Sequence, residues 1–248
     1  MEVNMKRMTI ILSFLLTAAL MQAQSETFNR EIEARGLNTI QVDNVNGDIV
    51  IGVWDRDLIR VNAVISGTES DRKAIEIKVE TKGDTLRIET DHSKRYLLGF
   101  IPWRTGGKVD YDIKAPARIN AVIDSVNGNI EVTGLQGELS MDTVNGGVTG
   151  RDLGGPVTAD SVNGSMDLFL TSPRPECKIE TVNGSVMLRI PEDASCEYSL
   201  ETINGRIDFA KKDIKVKGSG PKELTGTLGS GDGSISVEVI NGSVTVDF

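Results

Sequence analysis

Apolar and polar residues alternate along most of the chain after residue 23, and the same short phrase interrupts the alternation again and again. A Val-Asn-Gly or Ile-Asn-Gly sequence occurs seven times, with its asparagine at Asn46, Asn127, Asn145, Asn163, Asn183, Asn204 and Asn241. Successive asparagines are 81, 18, 18, 20, 21 and 37 residues apart. Because 37 is close to two periods and 81 close to four, the sequence predicts a repeat that continues through both gaps.

The residues around each asparagine fall into matching columns. The position four before it is apolar in every copy, and so is the position three after it. These columns hold Val42, Ile123, Met141, Ala159, Ile179, Leu200 and Val237 before the corner, and Ile49, Ile130, Val148, Met166, Val186, Ile207 and Val244 after it. Polar residues mostly lie between the apolar ones, so each repeat is predicted to be a half-buried strand, a corner and a second half-buried strand.

The corner and the columns together predict the fold. Asn-Gly indicates a bend with positive φ, and it commonly marks a two-residue hairpin. A meander of hairpins, however, would not need the same residue type in each column, whereas parallel copies stacked about 4.8 Å apart would. We therefore predict an all-β fold, a right-handed parallel β-helix (β-solenoid) of one chain with 18–21 residues per coil. Its structural corners are the seven asparagines and the glycines that follow them, Gly47, Gly128, Gly146, Gly164, Gly184, Gly205 and Gly242.

The first 23 residues have the pattern of a secretory signal peptide. Lys6 and Arg7 precede an apolar run that ends near Met21-Gln22-Ala23, and the run is short for a membrane span. We expect residues 24–248 to be one β-solenoid domain, irregular over 24–115 and regular over 116–248. We also expect export to the periplasm, the outer surface or the medium, with no transmembrane segment in the mature chain.

Charge narrows the choice of partner. The sequence has 27 Lys and Arg against 36 Asp and Glu; without residues 1–23 the counts are 25 and 35, which gives a net charge of −10. Nucleic acid requires a basic surface. Nucleic acid is therefore excluded as an expected partner.

One segment matches no column. Residues 96–107 are apolar and aromatic and are flanked by basic residues. Two interpretations stay open: a lid that covers one side of the coil, or a contact surface for an envelope protein or a glycan. The candidate partner-binding residues are Tyr96, Phe100, Trp103, Arg95 and Arg104.

A carboxylate stands three residues before every corner asparagine. The column contains Asp43, Asp124, Asp142, Asp160, Glu180, Glu201 and Glu238. Parity places it on the outer face, where the acids are expected to cap corner amides or pair with Lys and Arg. Weak Ca²⁺ sites along Asp124, Asp142, Asp160, Glu180 and Glu201 are the alternative, because hard oxygen ligands suit that ion.

The sequence offers little for catalysis. His92 is the only histidine, so a site with several histidine ligands is excluded, and no nucleophile motif stands near it. No catalytic residue is predicted. Cys177 and Cys196 both have inward parity in an expected oxidising compartment, and the sequence leaves open whether they form a disulfide.

The repeated corners, the Ala115-Pro116 step, the Arg189-Ile190-Pro191 step and the Gly-Ser-Gly-Asp-Gly sequence at 229–233 resemble the bacterial family known as "putative adhesin". The resemblance covers residues 40–248. It implies a β-solenoid in the cell envelope and carries no catalytic motif. The predicted function is a non-enzymatic, adhesin-like interaction module, with a polysaccharide-processing enzyme and a purely structural envelope spacer as alternatives.

Overall fold

The structure is a computed structural model that describes residues 25–92, 106–210, 216–217 and 222–248. The predicted signal peptide lies outside these residues. The described part is almost entirely β-structure. Its elements are β1 (Ser25–Glu33), β2 (Thr39–Asn46), β3 (Ile49–Trp54), β4 (Leu58–Ser66), α1 (Glu69–Ala74), β5 (Glu76–Lys82), β6 (Thr85–Asp91), β7 (Lys108–Pro116), β8 (Asn120–Asn127), β9 (Ile130–Thr133), β10 (Leu139–Asn145), β11 (Val148–Leu153), β12 (Val157–Asn163), β13 (Met166–Leu170), β14 (Glu176–Asn183), β15 (Val186–Arg189), β16 (Cys196–Asn204), β17 (Ile207–Phe209), β18 (Val216–Lys217), β19 (Glu223–Leu228), β20 (Gly233–Asn241) and β21 (Val244–Asp247).

The strands form two long sheets. Sheet A has the order β1-β4-β7-β3-β9-β11-β13-β15-β21-β17, and sheet B has the order β18-β19-β16-β20-β14-β12-β10-β8-β2-β6-β5. One strand from each sheet, joined at a corner, makes a coil, and neighbouring coils pair in parallel with asparagine opposite asparagine. The predicted all-β fold of stacked strand-corner-strand repeats is confirmed, and the handedness stays a prediction.

The core is formed by the apolar side chains that the alternation along each strand predicts to point inward. The apolar columns six and four residues before each asparagine are buried in all seven copies. The columns after the corner are buried too, except in the coil formed by β16 and β17, where Ile207 and Phe209 are only partly buried. That coil lies near one end of the stack, so part of its inner face has no further coil to cover it.

The coils do not stack in the order of the sequence. The expectation that the repeat continues through the long gaps holds for one coil of the first gap, β6–β7, whereas the described strands of the second gap, β18 and β19, pair antiparallel. The coil β2–β3 pairs directly with β8–β9 although 81 residues separate their asparagines. One coil without the corner phrase, β6–β7, lies on its other side. At the opposite end, the last coil, β20–β21, lies between β14–β15 and β16–β17. Because the columns match between any two copies, the residue pattern alone does not determine which coils lie next to each other.

Antiparallel strands close both ends of the stack. β4 and β1 follow β7 in sheet A, and β5 follows β6 in sheet B. At the other end β19 pairs antiparallel with β16, and β18 with β19. No helix in the described part of the chain has the length and apolar composition needed to cross a membrane.

The two cysteines are buried and free. Cys177 lies in β14 and Cys196 in β16, and β20 runs between these two strands. Two strand spacings amount to about 10 Å, beyond the reach of a disulfide. Burial raises the pKa of the Cys177 thiol to about 12 and that of Cys196 to about 11, which leaves both thiols protonated and unreactive.

Candidate functional site

The corners form a continuous edge along the stack. In the spatial order 46, 127, 145, 163, 183, 241, 204, each corner asparagine after the first donates its side-chain amide to the side-chain oxygen of the preceding one at 2.8–3.0 Å. We call this row the asparagine ladder. The backbone amide of each of the first six corner glycines in that order donates to the carbonyl of the next asparagine, so the acidic column does not cap these amides. The identical corners therefore fix the register between coils.

All seven corner glycines are required for close stacking, and four of them, Gly47, Gly128, Gly146 and Gly242, also have the predicted positive φ. Gly47 has φ 122°, but Gly128, Gly146 and Gly242 have φ near 155° and approach extended backbone. Gly164, Gly184 and Gly205 have no φ in the left-handed range, so the positive-φ bend predicted there is wrong. A Cβ at Gly164 would lie 1.8 Å from the carbonyl oxygen of Gly146, and the other corners repeat this contact at 1.8–2.0 Å. Only glycine leaves room for the neighbouring coil.

A groove of about 780 Å³ runs beside this edge on the outer face of sheet B. We call it the corner groove. One wall is a row of carboxylates in register, the acid row, and the other is a row of aliphatic side chains, the aliphatic row. In spatial order the acid row is Glu89, Asp43, Asp124, Asp142, Asp160, Glu180, Glu238 and Glu201, and the aliphatic row is Val45, Val126, Val144, Val162, Val182, Ile240 and Ile203.

Few cations neutralise the acid row. Arg87 contacts Asp43 at 3.0 Å and Glu89 at 3.6 Å, and Lys178 contacts Glu180 at 2.6 Å. The expected pairing with Lys or Arg is thus found for Asp43 and Glu180, and Glu89, which was not in the predicted column, is paired as well. The other five make no ion pair within the described residues. The corner groove is therefore a strongly negative surface.

Crowding of the acids changes their protonation. Burial, with help from the neighbouring carboxylates Asp43 and Asp142, raises the pKa of Asp124 to about 6. The pKa of Asp160 is also raised, chiefly by burial and then by Asp142 and Glu180. Like charges held one strand spacing apart disfavour the ionised form. Asp124 accordingly gains a proton well above the usual range of aspartate, and the pKa of Asp160 moves in the same direction.

The aliphatic row leaves apolar surface in contact with water. Six of its side chains are 36–50 % exposed. Among the described residues, only one other large hydrophobic side chain, Val64, has comparable exposure. Scattered exposed aliphatic residues are ordinary, but a contiguous row of them marks an interaction surface.

Seven polar residues and one valine lie between the two walls. In spatial order they are Thr90, Asn44, Ser125, Thr143, Ser161, Thr181, Val239 and Thr202. All are buried, and Thr202 donates to the carbonyl of Gly242 at 2.8 Å. The hydroxyls of Ser125, Thr143 and Ser161 have no hydrogen-bond partner.

The predicted partner-binding residues Tyr96, Phe100, Trp103, Arg95 and Arg104 lie outside the described residues, and their role stays a prediction. The described flanks of that segment are located at one end of the asparagine ladder. Asn46 donates to the carbonyl of Gly107 at 3.5 Å, and Glu89 and Thr90 line the corner groove. The described flanks thus lie at the place where other coils have their corner.

A metal site finds no support in the described residues, where no group of three or more His, Cys, Asp or Glu side chains is placed to hold an ion. The Ca²⁺ interpretation of the acid row stays an untested prediction. His92 follows β6 and is half-buried, and it is not among the residues that line the corner groove.

Sequence reasoning found the acids but missed two features of the site. Glu89 and Thr90 belong to it because Leu86-Arg87-Ile88-Glu89-Thr90 repeats the pattern of the other coils without its corner phrase. That pattern was a usable signal. The aliphatic row was missed because the sequence shows only that these residues belong to the corner phrase and point outward. Alternation does not show that the row forms the wall of a groove.

Comparison with known proteins identifies the family. The family model described as Toastrack DUF4097 matches residues 109–247, more than half of the chain, so the chain belongs to this family. The resemblance inferred from the repeated corners is thereby confirmed. Among curated proteins, none matches.

Several solved structures are similar over most of their length. A "putative cell adhesion protein" from Clostridium sporogenes is 16% identical, with a TM-score of 0.49, and the alignment covers 90% of this chain and 99% of that one. A "putative adhesin" from Bacteroides fragilis is 12% identical, with a TM-score of 0.37 and coverages of 89% and 97%. A "putative lipid binding protein" from Parabacteroides distasonis is 12% identical, with a TM-score of 0.31 and coverages of 90% and 98%. At this distance they carry no functional argument.

Proposed function

We propose that this protein is an exported, non-enzymatic, adhesin-like interaction module of the bacterial envelope, and that the corner groove is its binding face. The observation that carries the proposal is the pairing of an acid row with a solvent-exposed aliphatic row along the length of the stack. A protein that only needed to fold would gain nothing from keeping six aliphatic side chains in water beside eight carboxylates.

The solenoid supports this role because it is a rigid scaffold. The asparagine ladder and the stacked glycines hold each coil in register with the next. Repeat proteins commonly present such long, pre-formed surfaces to elongated partners. A pre-formed groove also reduces the entropy that binding would otherwise cost.

Capture experiments with the mature protein test the proposal. The immobilised protein is exposed to envelope fractions and to a glycan array, and saturable binding is measured. Asp142→Lys and Val162→Asn, one on each wall of the groove, should lower capture. Glu131→Lys and Val64→Asn make the same changes on exposed residues of sheet A and should not.

The two alternatives predict different results. A polysaccharide-processing enzyme would release new reducing ends from the glycans, whereas the proposed module releases none. A purely structural spacer would show no saturable capture by the wild type. Equal capture by the groove variants and their controls would show that binding occurs elsewhere on the molecule.

A further inference from the structure

The charge of the corner groove restricts what can occupy it; this inference rests on the proposed function of the groove as a binding face. Its lining contains eight carboxylates and no Lys, Arg or His. An anionic occupant such as nucleic acid, an acidic glycan or an anionic membrane surface would be repelled by the five acids that make no ion pair within the described part of the chain. A second copy of this chain would bring an identical acid row against the first. The complementary occupant is a polycation.

The aliphatic row requires that this polycation also has an apolar side. Val126, Val144 and Val162 are about 40 % exposed and lie opposite acids of the same coils. A fully hydrated polyamine would leave this wall in water. An amphipathic chain with basic and apolar residues on adjacent stripes covers both walls, and burial of each aliphatic side chain adds to the binding free energy.

The spacing of the coils favours a helix over an extended strand. Adjacent acids are about 4.8 Å apart along the stack. One turn of an α-helix rises about 5.4 Å, whereas residues on one side of a strand repeat every 6.6 to 6.8 Å or so. One basic residue per helical turn therefore stays close to one acid per coil over several coils. The seven coils of the aliphatic row span about 29 Å, the length of roughly 20 helical residues.

The size of the groove agrees with this arrangement. Its volume of about 780 Å³ spread over about 29 Å gives a cross-section of about 27 Å². An α-helix about 10 Å wide does not enter such a space, but one row of its side chains does. The helix would lie over the groove with its backbone outside.

We propose that the corner groove binds a cationic amphipathic α-helix of a partner polypeptide, laid along the stack with its basic residues on the acid row and its apolar residues on the aliphatic row. This is a helix-in-groove mode of recognition in which charge sets orientation and the apolar stripe supplies contact area.

Fluorescence anisotropy with labelled model peptides tests the proposal. The probe is a peptide of about 20 residues with Lys and Leu on adjacent helical stripes. Two control peptides have the same Lys and Leu in strict alternation, or Glu in place of Lys. We expect saturable binding of the probe alone, a rise in its helical circular dichroism on binding, and weaker binding at high salt. Asp142→Lys should raise Kd about tenfold, and Val162→Asn should raise it too, while Glu131→Lys and Val64→Asn leave it unchanged.

Several results would overturn the proposal. Equal or tighter binding of the alternating peptide would reject the helix, and binding of the Glu peptide would reject charge complementarity. Full competition by spermine, together with no effect of Val162→Asn, would reject the role of the aliphatic wall. If the probe fails but envelope capture still depends on Asp142 and Val162, the groove binds another class of ligand and the proposed function stands. If neither assay responds to these variants, both proposals fail.

Discussion

The residues of the corner show that one short phrase satisfies three separate physical requirements. Asparagine bonds to asparagine in the next coil, and glycine lets the neighbouring carbonyl approach to a distance that no Cβ allows. The aliphatic residue before asparagine contributes to the wall of the corner groove instead of the core. Asparagine thus has a hydrogen-bonding reason and glycine a steric one, whereas the aliphatic residue contributes to the proposed binding face.

Substitution of a corner glycine tests the steric explanation. Gly164→Ala places a methyl group against the carbonyl of Gly146, and forcing the coils apart should lower the free energy of unfolding by about 1 to 3 kcal/mol. Gly147→Ala is the matched control, because its Cβ would meet only atoms at 3.5 Å. Urea denaturation of both variants measures the difference. Equal losses at the two glycines would contradict the stacking explanation.

A buried hydroxyl between the two walls of the groove should be replaceable without loss. The Thr143 hydroxyl is buried and has no hydrogen-bond partner, and Val239 occupies the equivalent position in the last coil. Thr143→Val should therefore raise the unfolding free energy, by about 1 kcal/mol, since an unsatisfied buried polar group is removed. Thr202→Val should lower it instead, because the Thr202 hydroxyl donates to Gly242. A loss of stability in Thr143→Val comparable to that in Thr202→Val would contradict this assignment.

At the scale of the strand, in-register pairing creates properties that no single strand has. Asp124 is half-buried, but its raised pKa also depends on the carboxylates of the strands on either side. The aliphatic row and the asparagine ladder likewise exist only because identical positions face each other across parallel strands. Parallel pairing in register thus aligns the same residue type from every coil into a continuous row.

Stability should depend on pH through the acid row. The pKa of Asp124 is about 6 in the folded protein and 3.8 for the unperturbed group, so the folded state binds more protons between these values. Stability from this group is present below about pH 4 and is lost as pH rises through about 6. Thermal unfolding across this range should show that the wild type loses stability relative to Asp124→Asn. Glu131→Gln, on sheet A, should follow the wild type; if Asp124→Asn does so as well, the assignment to Asp124 is wrong.

The sequence predicted which residues form strands better than it predicted which strands lie side by side. Alternation correctly predicted burial of Val42, Ile123 and Met141, because whether a side chain points inward or outward depends only on its position along its own strand. The position of β20 could not be predicted, since Val237 matches the columns of every coil equally well. The acid column was visible in the sequence. The groove was not, because its depth depends on how the outer face of sheet B is shaped by the stacked strands.

At each end of the stack, the coil one step in from the end comes from nearer a chain terminus than the coil outside it. β2–β3 lies inside β6–β7, and β20–β21 lies inside β16–β17. Each inserted coil makes parallel ladders on both sides. The last coil of the chain is therefore an interior element of the fold.

Truncation should reveal this interior role. Removal of residues 229–248 deletes five buried aliphatic side chains, those of Ile235, Val237, Val239, Val244 and Val246, each worth about 1.5 to 3 kcal/mol, and takes the parallel neighbours away from β16 and β17. Removal of Ser25–Glu33 deletes an edge strand that, among the described strands, pairs with β4 alone. The first deletion should lower Tm far more than the second, because it removes core side chains as well as ladder hydrogen bonds. Similar Tm values for the two deletions would contradict the inserted topology.

The inserted last coil also bears on how the molecule is made. Synthesis proceeds from the amino end, so β16 and β17 emerge before the strands that will separate them from β14 and β15. Because their columns match those of β14 and β15, they can dock there directly, with Asn204 on Asn183. That early arrangement satisfies the same hydrogen-bonding pattern, yet it must open again to admit β20 and β21. The solenoid therefore cannot be completed coil by coil in the order of the sequence, and its slowest assembly step is expected to be the insertion of β20 and β21.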